Sequence, residues 1–218
     1  MTFSLRTPKL IDQTDISFDP KVLEAGTCGL FRANLRDAYR LMPEMGALIA
    51  SSPIDWIDEP NWELDIKVHM MMPGQYPCIP NWHTDMVPRD DSGTRFDLID
   101  PNNPPMYLWI SEGPETEFLA LPLEMPELPS SHREIGRFLR TAQPEQDYWG
   151  FPPMTQLIQP KCWWSMDQQT PHRGTQAKGH GWRVFARLTH KSMAPQRPVV
   201  SVHRRHAQVY LDASEFSW

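Results

Sequence analysis

Twenty-three prolines in 218 residues set the first limit on what this chain can fold into. Proline locks φ, removes a backbone donor and costs about 3 kcal/mol inside a helix. Long helices are therefore excluded, and short strands joined by rigid loops are expected. Nine tryptophans and an apolar fraction of 40 % supply material for one sizeable core. A length of roughly 200–250 residues is common for a single β-sandwich or barrel, so one domain is expected over residues 1–218.

Alternation of apolar and polar residues then places the strands. Glu63 to Met72 puts Leu64, Ile66 and Val68 on one face and Asp65, Lys67 and His69 on the other. Met106 to Ser111, Thr116 to Leu121, Lys161 to Met166, Arg183 to Thr189 and Ala207 to Leu211 complete a set of six or seven short strands. Residues 1–60 read as a helical or irregular lead-in, with an interrupted helix over Leu30 to Ala50 broken at Pro43. Ser131 and Glu134 form a capping-box pattern that starts a helix near His132. Ala142 to Pro160 reads as a loop and a candidate cover for a pocket. The fold class is mainly β, a sandwich or barrel over residues 61–218 with an inserted helix and loop at about 122–160.

A net charge of −6 gives no general attraction for a polyanion, which argues against a protein that coats nucleic acid. Cys28, Cys78 and Cys162 are odd in number and far apart, so neither a disulfide framework nor a cysteine-rich zinc site is expected. Met1 to Leu10 has no apolar signal core, and no stretch approaches the roughly 18 apolar residues of a membrane span. A cytoplasmic protein that acts on a small molecule is the expectation; the oligomeric state is not readable.

The chemistry concentrates in Trp82-His83-Thr84-Asp85. Residues two apart on an extended segment point the same way, so His83 and Asp85 can reach one metal. Eight histidines and fifteen aspartates make about 0.5 such matches by chance, so the motif alone decides nothing. Its position after a strand and a Pro73-Gly74 turn adds weight, and so does a distant His172 as third ligand. Two imidazoles and one carboxylate with open positions suit non-haem Fe(II). Arg183 follows His172 by eleven residues, and Arg183, Phe185, Arg187 and Thr189 would share one strand face. If that face is interior, its arginines need an anionic partner; if it faces solvent, they are surface residues. Sequence alone leaves both open. His69 reads as a core histidine, while His180 is a rival ligand in a glycine-rich turn.

This set resembles the HxD…H…R signature of the Fe(II)/2-oxoglutarate-dependent oxygenase superfamily, over residues 70–85 and 168–189. The resemblance implies a double-stranded β-helix, or jelly-roll, in which His83, Asp85 and His172 hold iron. It also implies that Arg183 grips the distal carboxylate of 2-oxoglutarate. Arg187 could serve the cosubstrate or the substrate's own anion, Trp82 could touch substrate, and either Thr116 or Tyr107 could be the hydroxyl partner of the cosubstrate. The implied reaction consumes O2 and hydroxylates a C–H bond of a small, anionic or nucleobase-like substrate. The carboxylate ligand favours hydroxylation over halogenation, since related halogenases lack it. A cupin-like metalloenzyme that does not use 2-oxoglutarate, and a non-catalytic jelly-roll binding or structural protein, are the alternatives.

Overall fold

A computed structural model describes residues 2–26, 29–142, 154–193, 203–204, 209 and 211. Its strands in chain order are β1 (Phe3–Leu5), β2 (Lys9–Gln13), β3 (Gly29–Ala33), β4 (Trp62–Met71), β5 (Arg89–Asp90), β6 (Gly93–Thr94) and β7 (Met106–Ile110). They continue with β8 (Thr116–Leu119), β9 (Leu123–Met125), β10 (Thr155–Leu157), β11 (Cys162–Met166), β12 (His172–Gly174), β13 (Gly181–His190) and β14 (His203–Arg204). The α-helices are α1 (Pro20–Ala25), α2 (Leu35–Leu41), α3 (Gly46–Ala50) and α4 (His132–Ala142). The fold is mainly β, its pairings antiparallel. Among the described residues no helix is long and apolar enough to cross a membrane.

Seven strands form the main sheet in the order β14-β3-β4-β13-β7-β11-β2. Its centre is β13, which pairs with β4 from Gly181↔Met71 to His190↔Trp62 and with β7 on its other side. The strict alternation of β4 and β13 decides what each face does. Leu64, Ile66, Val68, Val184, Ala186 and Leu188 are buried against Leu35, Ala38, Leu48 and Ile49 of α2 and α3. Asp65, Lys67, Phe185 and Arg187 lie on the other face, which is polar and interior.

A smaller sheet, β10-β8-β12, carries the residues that face this polar wall. His83 joins it through an isolated bridge, its N–H donating to His172 O at 3.0 Å and its carbonyl accepting from His172 N at 2.9 Å. Gly174 follows on β12; a Cβ there would lie 2.8 Å from Cys78 O and 2.9 Å from Cys78 Sγ, so glycine lets the two segments touch.

Two expectations change. The stretch expected to be helical or irregular contributes β2 and β3 to the main sheet, and residues 30–33 are strand rather than helix. Asn34 then caps α2, its side chain accepting from Asp37 N at 2.7 Å, and Pro43 begins the 3-10 turn that separates α2 from α3. Helix α4 starts where the capping box placed it, but Glu134 reaches Ser130, accepting from its N–H at 2.7 Å and from its hydroxyl at 2.9 Å. Within the expected loop over Ala142 to Pro160, Thr155–Leu157 is strand β10, and residues 143–153 lie outside the described residues. So do Cys28 and, in the expected final strand, residues 207, 208 and 210; Cys78 and Cys162 are free thiols.

Candidate metal centre

The His83–His172 bridge sets two imidazoles side by side, ring centroids 4.4 Å apart. Asp85 points to the same place because it is two residues beyond His83. Its Oδ1 lies 4.0 Å from His83 Nε2 and its Oδ2 lies 3.6 Å from His172 Nε2. One ligand atom from each of the three residues falls within 4.8 Å of the others. Among the described residues this is the one such cluster.

The imidazoles are arranged as ligands. His83 Nδ1 is 2.8 Å from Asn81 O and His172 Nδ1 is 3.2 Å from Thr170 O. A backbone carbonyl can only accept, so each Nδ1 carries a proton, which leaves each Nε2, on the side of Asp85, as the nitrogen that can ligate. Burial, and then the neighbouring His172, push the His83 imidazole down to about 3, so it stays neutral at pH 7. Burial alone would raise the Asp85 carboxyl; Arg187 and then His172 outweigh it and hold it well below the ordinary carboxylate range. Two imidazole nitrogens and an ionised carboxylate are the donor set that a divalent cation needs, and the three residues fit one.

Arg187 supports the carboxylate from the main sheet. Its Nη1 donates to Asp85 Oδ2 at 2.5 Å and its Nη2 to Asp65 Oδ2 at 2.5 Å. Burial would lower its pKa, but Asp85 and Asp65 raise it further. Asp65 is fixed in turn by Arg32, whose backbone N–H donates to its Oδ1 at 2.9 Å. Arg187 therefore orients a triad carboxylate, and Oδ1 of Asp85 is left facing His83.

Arg183 sits two rungs further along the same face, opposite His69. It is 1 % exposed. Its Nε donates to Pro114 O at 2.8 Å and its Nη2 makes a long contact of 3.4 Å to Thr116 Oγ1. Its Nη1 is buried with no partner, and no acid pairs with it among the described residues. Burial pulls its pKa down to about 10, so the guanidinium keeps its charge at neutral pH. A cation in this position is costly unless something anionic meets it.

Two cavities adjoin the triad. The smaller, about 100 Å³, has Lys67, Cys78, Thr116 and Phe185 in its wall together with His83, Asp85 and His172. Thr116 and Phe185 are also the neighbours of the Arg183 guanidinium, whose centre lies 5.8 Å from the Phe185 ring. Lys67 lies 5.6 Å over the same ring without an acid partner among the described residues, and burial, then Arg187, lower its pKa. The larger cavity, about 360 Å³, shares Ile79, His83, Asp85 and Arg187 with the smaller one. Phe31, Met86, Val87, Arg89 and His132 are in its wall.

His83, Asp85 and His172 thus meet, and Arg183 and Thr116 meet beside the smaller cavity. Tyr107 does not join them: it pairs with Leu188 on the opposite face of the sheet and packs on Trp62 at 5.5 Å. Trp82 is buried with Leu119, Ile135 and Leu139 and lines neither cavity; the Arg173 guanidinium lies 4.8 Å above its ring. His180 is exposed and outside the triad, and His69 is buried. The sequence reading assigned no role to Lys67, Asp65, Cys78 or His132. The first two stood on the polar face of an alternating strand, a usable signal; His132 carried none beyond its place at the start of α4. Its Nδ1 lies 3.4 Å from Thr84 N, and burial, then Arg89, push its imidazole down to about 4. Comparison with protein-family models, with curated proteins and with solved structures gives no match.

Proposed function

We propose that the chain is an Fe(II)- and 2-oxoglutarate-dependent dioxygenase that hydroxylates a C–H bond of a small molecule. The observation that carries this reading is Arg183, a sealed cation with an unmet Nη1 donor on the sheet face that also bears Arg187, the residue that grips the triad's Asp85. Four residues of strand, about 13 Å, separate Arg183 from Arg187. The smaller cavity has the triad, Arg187, Phe185 and Thr116 in its wall, and Thr116 is the residue that touches the Arg183 guanidinium. A dicarboxylate with one end at the triad and the other at Arg183 answers both needs. The main sheet facing a small sheet that bears His83 and His172 is what a jelly-roll would supply.

In this reading His83, Asp85 and His172 hold the iron, and Arg187 fixes the carboxylate. Arg183 and Thr116 bind the far carboxylate of the cosubstrate. Iron with 2-oxoglutarate and O2 supplies oxidative decarboxylation to succinate and carbon dioxide, with the second oxygen atom entering the substrate C–H bond. The protein's own task is to position both ligands and exclude water.

Equilibrium titration and turnover test this. Wild type should bind one Fe(II), bind 2-oxoglutarate only with metal present, and release succinate as oxygen is consumed. Arg183→Met should keep the metal and lose 2-oxoglutarate, yet fold at least as stably, because it replaces an unpaired buried charge with an apolar side chain of similar length. Equal, weak Fe(II) binding by wild type and by His83→Ala/Asp85→Ala would defeat the proposal. Tight metal binding with no cosubstrate binding would favour the cupin-like alternative.

A further inference from the structure

The larger cavity is built rather than incidental. Among the described residues three non-glycine residues have positive φ, and two of them, Arg32 (φ 53) and Met86 (φ 58), are in its wall. Such backbone is strained for a residue with a side chain and collects at functional sites. Arg32 owes its conformation to a register shift in β3, and it enters the wall already paired, its Nε and Nη2 donating to Glu63 at 2.6 and 2.9 Å. A volume near 360 Å³ is at the small end of the range for metabolite sites.

Each acid in this wall has an arginine partner, two of them sharing one, while one arginine has no acid. Glu63 is held by Arg32, and Asp65 and Asp85 by Arg187. Arg89 has no acid partner among the described residues, although Asp90 and Asp91 follow it directly. The reason is Arg95, which takes Asp90 and, through two contacts at 2.9 and 2.6 Å, Asp97; Ser92 takes the other Asp90 oxygen. Arg89, exposed at the edge of the cavity, is thus left without an acid. His132 stands near it, and with Nδ1 facing the Thr84 N–H its Nε2 is the protonated nitrogen. Both groups offer donors only. Phe31, Ile79, Met86 and Val87 supply apolar surface in the same wall.

We infer that this cavity takes a small organic anion, its carboxylate or phosphate bound by Arg89 and His132 and its apolar body lying towards Asp85. Calling that anion the substrate rests on the oxygenase reading; its binding does not.

Isothermal titration of the full chain, with and without Mn(II), tests it using hexanoate, benzoate and phenyl phosphate against hexanamide and benzamide. Wild type should bind at least one anion with a dissociation constant below about 1 mM and about tenfold more tightly than its neutral counterpart. Arg89→Gln should remove that preference and Arg89→Lys should keep part of it. Arg183→Met should leave it unchanged. The carboxylate and phosphate probes separate the two anion types. Equal binding of anions and amides, a preference that survives Arg89→Gln, or one that disappears in Arg183→Met would each overturn the inference. If 2-oxoglutarate fails to bind while the Arg89-dependent preference persists, the oxygenase reading fails and this one stands.

Discussion

Arg187 decides how the triad is held together. A carboxylate that ligates a metal through one oxygen is oriented by what grips the other, and such supporting contacts typically carry a 10- to 100-fold effect on metal affinity. Arg187 grips Asp85 Oδ2 and is itself anchored by Asp65. Asp65→Asn should therefore weaken Fe(II) or Mn(II) binding by about tenfold, although Asp65 touches no triad atom in the contacts described. Titration calorimetry measures this directly. Arg187→Met should weaken it more and also destabilise the fold by about 3–5 kcal/mol, since two acids lose their shared buried cation. Retention of wild-type metal affinity in Asp65→Asn would show that Arg187 holds Asp85 without the Asp65 anchor.

At the level of elements, metal binding depends on two chain segments meeting at one short bridge. Strand β12 has three residues, and its last, Gly174, lies against Cys78. Gly174→Ala places a methyl group less than 3 Å from a carbonyl oxygen, so β12 must shift relative to the 78–83 segment. A loss of about 1–3 kcal/mol in urea denaturation is expected, with weaker metal binding because His172 moves with the strand. An unaltered melt and affinity would mean that the Cys78 loop yields freely. The same elements show what could be read from sequence. Strand β13 was legible because Arg183, Phe185, Arg187 and Thr189 alternate strictly with Val184, Ala186 and Leu188. Strand β2 was not, because Lys9 to Gln13 is an edge strand exposed along its whole length and shows no period. Strand β3 was hidden by its bulge: positive φ at Arg32 breaks the two-residue alternation, and the apolar residues run on into α2. The triad could be proposed from spacing. That Thr116 rather than Tyr107 lies beside Arg183 depends on strand register, which no single strand reveals.

For the molecule as a whole, the buried histidines make stability depend on pH even without a ligand. His132 has a folded-state pKa of about 4 and His83 of about 3, against an ordinary value near 6.5 in the unfolded chain. Between those values and 6.5 the unfolded chain binds protons that the folded protein refuses. Stability therefore rises with pH across this window and levels off above it. Each group contributes at most about 1.4 kcal/mol per pH unit where it alone differs in charge. Metal-free protein, kept in chelator and unfolded by urea at intervals between roughly pH 4 and pH 8, should show that slope. His132→Gln should flatten it by about one proton between roughly pH 4 and 6.5, leaving the part due to His83. Bound metal should raise stability by binding the folded state alone, and should leave the His83 part of the slope in place, since that imidazole is already unprotonated above about pH 3. A slope indifferent to His132→Gln would mean that other groups govern acid unfolding.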